Sequence, residues 1–128
     1  FYFDVVSQIQ MPHWSKDRVT LVGDACDCPS LLSGQGSTLA MTGAYILAGE
    51  LKKANGNYKT AFEQYESIFK PFISRKQDIA KGFAKSLVPK SQFGIWLRNT
   101  FTNLMFLPVV SELFIRQFMD DKLKLKTY

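Results

Sequence analysis

The sequence has little cysteine, a single histidine and no long apolar run. It holds 2 cysteines and 1 histidine in 128 residues. Cys26 and Cys28 stand two positions apart, where a disulfide is geometrically poor, so a disulfide-stapled scaffold is excluded and a reducing, cytoplasmic compartment is expected. A zinc site would need a second ligand pair at suitable spacing, and none is present, so no metal is expected. His13 lies in a polar turn between Pro12 and Trp14, tied to no serine, cysteine or carboxylate motif, and reads as a surface residue. No catalytic residue is assigned. The most apolar stretch, Leu104 to Val110, is far short of the roughly 20 residues a membrane span needs, and Asn103, Glu112 and Arg116 interrupt the wider window, so no transmembrane span is expected.

The rest of the composition is that of one small globular domain, with 46% hydrophobic, 14% aromatic and 21% charged residues and a net charge of +5. Those values exclude a disordered chain. The chain opens on Phe1 in an apolar stretch with no basic leader, and reads as a piece of a longer protein. Charge is uneven: residues 1–50 carry a net of −3 and residues 51–128 a net of +8. The basic residues are nevertheless scattered singly, with Lys59/Glu63 and Glu66/Lys70 four apart, the spacing of a solvated helix face. Without an aromatic-interleaved basic patch, no nucleic-acid partner is expected.

Residues 1–10 are rich in aromatic and β-branched types and predict a strand. Arg18 to Gly23 is a short apolar run ending in glycine, which predicts a buried strand of a mostly parallel sheet. A loop follows, then a helix from about Gly34 to Lys53 with Leu39, Gly43, Ile46, Leu47 and Leu51 on one buried face and Asn55-Gly56 as its stop. Asn57 caps a longer helix in which Phe62, Tyr65, Phe69, Phe72, Ile73, Ile79, Ala80, Phe83 and Leu87 keep three-four spacing, with Pro71 expected to kink or break it. The aromatic stripe from Phe62 to Phe72 reads as core. A last helical stretch runs from Gln92 to about Met119, interrupted by Pro108, and the tail from Lys122 to Tyr128 is expected to fray. The fold class is therefore an α/β fragment, two or three strands followed by a mainly helical C-terminal half. The apolar residues Phe101, Leu104, Met105, Phe106, Leu107, Val109, Val110, Phe114 and Phe118 are too many for an isolated helix, so self-association is expected.

The chemistry is concentrated between Trp14 and Ala40. Asp24 follows a predicted strand, at the carboxyl end where ligands of open α/β sheets bind, and its carboxylate can accept hydrogen bonds from a hydroxylated ligand. Ten residues on, Gly34-Gln35-Gly36-Ser37-Thr38 opens a helix. Its glycines allow close backbone approach, and the free N–H groups of the first turn carry partial positive charge. It is not a P-loop, because no lysine follows Gly36, nor a dinucleotide fingerprint, which needs a third glycine and a strand directly before it.

Arg18-Val-x-Leu-x-Gly-Asp-Ala-x(8)-Gly-Gln-Gly-x(3)-Ala40, continuing Gly43-Ala-Tyr-x-Leu-Ala-Gly-Glu-Leu51, resembles the second FAD-binding motif of the para-hydroxybenzoate-hydroxylase-like flavoprotein monooxygenases. The likeness is sharp over residues 14–51 and loose over 58–120. It implies that residues 1–56 are the end of a substrate-binding sheet region plus this motif, that residues 57–128 are a C-terminal helical region, and that the whole is an incomplete FAD/NAD(P)-binding fold. It further implies that Gly23, Asp24, Gly34, Gln35, Gly36, Ser37 and Thr38 bind FAD, with Asp24 on the ribityl hydroxyls and the Gly34–Thr38 backbone along the pyrimidine side of the flavin. NAD(P)H would be the co-substrate, and oxygen would pass from dioxygen to a small organic substrate, aromatic or polycyclic. The cradle for the adenosine half would lie in a missing N-terminal part, leaving the fragment inactive alone. The sequence departs from the pattern at Ala25-Cys26-Asp27, where Ala-Ala-His or a similar run is common. It departs again at Leu31, where a proline is usual, and at Lys16-Asp17-Arg18, which replaces a Gly-Arg turn. Two other readings stay open: a non-catalytic helical interaction module, and an FAD-dependent reductase or dehydrogenase without monooxygenation.

Overall fold

The computed structural model describes residues 1, 5–30, 33–106, 110, 112, 123 and 125–128. Among them run two short strands, β1 (Ser15–Lys16) and β2 (Val19–Thr20), and four helices, α1 (Asp24–Asp27), α2 (Gly36–Lys53), α3 (Tyr58–Leu87) and α4 (Gln92–Met105). They fall into two compact units, Phe1–Lys81 with Leu125–Tyr128, and Gly82–Lys124. The described residues are mainly helical, with one two-stranded sheet.

The strands differ from those the sequence predicts. Residues 5–10 form none, and residues 2–4 lie outside the described residues. Of the run from Arg18 to Gly23 only Val19–Thr20 is strand, and it pairs antiparallel with β1, Ser15 facing Thr20 and Lys16 facing Val19. The reason is where the backbone groups find partners. The Leu21 N–H donates to the Trp14 carbonyl, and the Leu21 carbonyl accepts from Tyr65 Oη at 3.3 Å. The segment is thus satisfied by its own hairpin and by a helix side chain rather than by a parallel neighbour. Asp17 turns the hairpin at φ 53°, in the left-handed region that aspartate tolerates better than most residues.

α2 begins at Gly36 and buries Leu39, Gly43, Ile46, Gly49 and Glu50, a stripe of three-four spacing. Its end follows the Schellman pattern. The Asn55 N–H reaches the Lys52 carbonyl and the Gly56 N–H the Leu51 carbonyl, with Asn55 and Gly56 both at positive φ. Asn57 caps α3, its Oδ1 accepting from the Thr60 N–H at 3.5 Å. α3 then runs on through Pro71 without a break. Its buried face holds Ala61, Phe62, Tyr65, Phe69, Ile73, Gln77 and Ala80. Ile79, expected on that face, is exposed, and Gln77 is buried there with its amide nitrogen donating twice. Gln77 Nε2 donates to the carbonyls of Ile9 and Cys28.

The aromatic core is built on Trp14, whose ring lies 5.5 Å from Tyr65 and 6.0 Å from Phe69. The Trp14 N–H donates to Glu66 Oε2 at 3.0 Å, and Lys70 Nζ donates to Glu66 Oε1 at 2.7 Å. Partial burial works against the Glu66 carboxylate, but the Lys70 hydrogen bond, the Trp14 N–H and the Lys70 and His13 charges outweigh it and hold the group below the usual carboxylate range. Gly43 admits Phe69: a Cβ there would sit 2.8 Å from a Phe69 ring carbon.

In the second unit, Ser91 caps α4 by accepting from the Gly94 N–H at 3.1 Å. The helix exposes Phe93, Ile95, Trp96, Leu97, Phe101 and Leu104. The continuation expected to Met119 falls largely outside the described residues. The tail is not frayed where it is described: Leu125–Tyr128 packs with the first unit.

Phe69 is fully buried and touches three other aromatic rings. Phe69→Ala is therefore expected to cost about 3–5 kcal/mol, measured as a fall in the urea midpoint at unchanged slope.

Candidate functional site

The sharp turn that starts α1 requires glycine. Gly23 sits at φ 69°, ψ −148°, a region essentially closed to residues with a Cβ, and the carbonyl it presents accepts from the N–H groups of both Cys26 and Asp27. This turn projects Asp24 outward as an exposed side chain. Gly34, at φ 62° with open space around it, makes the second turn and leads into α2.

These two turns meet at a cavity of about 720 Å³, bordered by Asp24, Gly34, Gly36, Ser37 and Ala40 on one side and by Val5–Ser7 on another, with Cys28, Pro29 and Ser30 between them. A Cβ on Gly36 would lie 3.7 Å from Asp24 Oδ1, so the carboxylate abuts the first residue of α2. Gln35 is the cap residue but makes no side-chain capping bond. The first intrahelical donor is the Leu39 N–H, to the Gln35 carbonyl, which leaves the N–H groups of Gly36, Ser37 and Thr38 ahead of the helical ladder. An uncapped helix start beside a solvated carboxylate can hold a ligand that is hydroxylated at one point and electron-rich at another.

Of the seven residues singled out from sequence, the structure brings Asp24, Gly34, Gly36 and Ser37 to the cavity wall. Gly23 is buried behind the wall, against Ala40. Gln35 and Thr38 flank it without lining it. Sequence reasoning missed the opposite wall. Gln8 Nε2 donates to the carbonyls of Pro29 and Gln77, and the Ile9 N–H donates to the Cys28 carbonyl. These bonds lay residues 5–10 along the loop after α1. No local motif signals them, since they join positions 19 to 69 residues apart. Ser30 was also missed: it is buried at φ 103°, backbone strain stored at the cavity edge.

The two cysteines differ. Cys28 borders the cavity. Cys26 is buried, contacts Tyr65 Oη at 3.9 Å and is pushed up to about 11 by burial, so it stays a neutral thiol. Asp27 is the electrostatic anomaly. It is fully buried, neither carboxylate oxygen has a hydrogen-bond partner, and Oδ2 lies 3.4 Å from where a Gly43 Cβ would be. Burial, then the Asp24 charge, raises its carboxyl to about 6, partly opposed by the backbone of Gly23. His13 is exposed, 4.0 Å from Glu66.

No family model matches the chain. Two proteins named flavin-dependent monooxygenase, one from an unknown prokaryotic organism and one from Legionella longbeachae serogroup 1 (strain NSW150), are each 48% identical to it over 101 residues, covering 79% of this chain and 22% of theirs. Among solved structures, the crystal structure of tetracycline destructase Tet(51) matches with a TM-score of 0.74 and 38% identity, over 99% of this chain and 32% of that one. In sequence and in fold the chain is thus related to one part of enzymes named flavin-dependent monooxygenases. It spans about a fifth of the length of these curated relatives.

Asp27 sets a pH dependence whose sign follows from its raised value. Folded protein holds the Asp27 proton up to about pH 6, whereas the unfolded chain releases it near 4. The residue therefore lowers stability progressively between those values, by about 2–3 kcal/mol once both are passed. Against Asp27→Asn, which cannot ionise, the native protein should lose that much between pH 4 and pH 7 in parallel urea titrations.

Proposed function

We propose that the chain is the C-terminal, flavin-binding segment of an FAD-dependent monooxygenase of the para-hydroxybenzoate-hydroxylase-like type. The observation that carries this reading is the meeting of the Asp24 carboxylate with the uncapped first turn of α2 at one cavity, in a chain whose relatives are named for flavin dependence. In this assignment the division is at residue 56, with the end of a substrate-sheet region and the second FAD motif before it and a helical region after it. The remaining cofactor cradle lies N-terminal to this chain, which is inactive alone.

The residues present suit the flavin end of FAD. Asp24, exposed beside Gly36, would accept hydrogen bonds from ribityl hydroxyls. Gly34 and Gly36 keep side chains out of the approach, and the N–H groups of Gly36, Ser37 and Thr38 would offer partial positive charge to an electron-rich edge of the flavin and favour its more negative state. Gly23 and Gln35 hold the two turns in place. Bound flavin would supply the two-electron chemistry, with NAD(P)H as reductant and a small aromatic or polycyclic molecule as oxygen acceptor. A neighbour named for tetracycline, itself polycyclic, supports that substrate class. The free thiols Cys26 and Cys28 fit a cytoplasmic setting. Among the described residues no helix is long and apolar enough to cross a membrane.

In the intact protein, Asp24→Ala should weaken flavin retention roughly ten- to a hundredfold, the equivalent of a lost charge-assisted bond of about 1.5–3 kcal/mol. Flavin absorbance per protein after purification measures it, and unchanged occupancy would reduce Asp24 to a turn residue. The 128-residue chain by itself should self-associate through exposed α4 side chains such as Phe93, Trp96 and Phe101. Light scattering after size exclusion reports this, and a clean monomer at tens of micromolar counts against it.

A further inference from the structure

The C-terminal half of α2 carries a second built feature, away from the cavity. Gly49 is buried, and a Cβ placed on it would collide with three ring carbons of Tyr128. The ring thus occupies the volume that any side chain at position 49 would need. Tyr128 Oη donates to Glu50 Oε1 at 2.9 Å, and Lys126 Nζ stands 3.6 Å from the same oxygen. Glu50 is only 2% exposed, and a carboxylate so placed is costly unless it is paired and hydrogen-bonded. Among the described residues, the bond and the ion pair shown for Glu50 both come from residues 126–128. Tyr45 closes the notch. Its ring meets Tyr128 edge-on at 5.5 Å, and its hydroxyl donates to the Lys126 carbonyl at 3.0 Å. Lys52 Nζ donates to the Tyr128 carbonyl at 3.5 Å.

We propose that the Tyr45–Gly49–Glu50 face of α2 is a receptor notch for residues 125–128, and that the docked tail is a strap holding this half of α2 against local unfolding. Shape, charge and hydrogen bonding agree on the occupant: a missing side chain where a ring enters, a buried carboxylate facing a hydroxyl and an ammonium, and a tyrosine hydroxyl aimed at a tail carbonyl. The inference does not depend on the flavin reading, because it concerns the opposite end of the helix and is tested without cofactor.

The test uses the sign of a glycine substitution. In a helix interior Gly→Ala normally favours the helix. Gly82, in α3 with nothing within 4 Å of a Cβ, is the internal control, and Gly82→Ala should slow amide exchange nearby several-fold. Gly49→Ala should do the reverse, because the new methyl collides with Tyr128: amides of residues 46–53 should exchange about tenfold faster in native-state hydrogen exchange. In a Tyr128→Ala background, where the strap is already released, Gly49→Ala should return to the ordinary sign and slow exchange. Tyr128→Phe, which keeps the ring and loses the bond to Glu50, should fall between native and Tyr128→Ala, and being a tail substitution it leaves α2 itself unaltered. The proposal is overturned if Gly49→Ala slows exchange while Tyr128 is present, or if its effect is the same in both backgrounds. Protection that rises with protein concentration would also overturn it, since the tail would then be exchanged between copies.

Discussion

The close approach of α3 to α2 at Gly43 is the contact on which the first unit depends. Phe69 fills the space where a side chain at position 43 would stand, and the same ring meets Trp14, Tyr65 and Phe72. Asp27 borders that glycine from α1. One side chain's absence therefore lets three helices converge, and the convergence sets where the start of α2 lies relative to Asp24. A methyl at Gly43 would have to displace a packed aromatic ring rather than a flexible chain end, which is why the position admits so little.

The four-residue helix α1 places two carboxylates in opposite environments. Asp24 points into solvent at the cavity edge, whereas Asp27 is buried without a partner. The charge on the first helps to raise the carboxyl of the second, so below about pH 6 the helix carries less negative charge than its sequence suggests. Position 27 is also one at which the chain leaves the pattern of the family it resembles. An orphaned acid at this point is a local cost that the surrounding core, anchored by Trp14 and Glu66, has to absorb.

α4 shows a row of large apolar side chains, and the chain spans about a fifth of the length of its curated relatives. The cavity joins two local turns to a wall formed by Val5–Ser7 and needs no sheet to exist. Its far wall is held by two glutamine amides, from Gln8 and Gln77, that bond backbone carbonyls.

Helices were legible in the sequence because their signals are local. Asn57 and the Asn55-Gly56 pair each act within one turn of the element they start or stop, and the three-four spacing of Tyr65, Phe69 and Ile73 marks a buried face directly. The Asp24 and Gly34–Gly36 pairing was legible for the same reason, as turn chemistry on either side of a short loop. Strands were not, because a β-run becomes a strand only where a partner's backbone groups reach it. In residues 5–10 and 21–23 the partners are a loop, a hairpin carbonyl and the Tyr65 hydroxyl. The tertiary structure alone decided which residues line the cavity, that Asp27 is buried and unpaired, and that Tyr128 seats on Gly49. Each of these joins positions that local sequence does not relate. Their energies come from desolvation and close packing, which exist only once distant segments have been brought together.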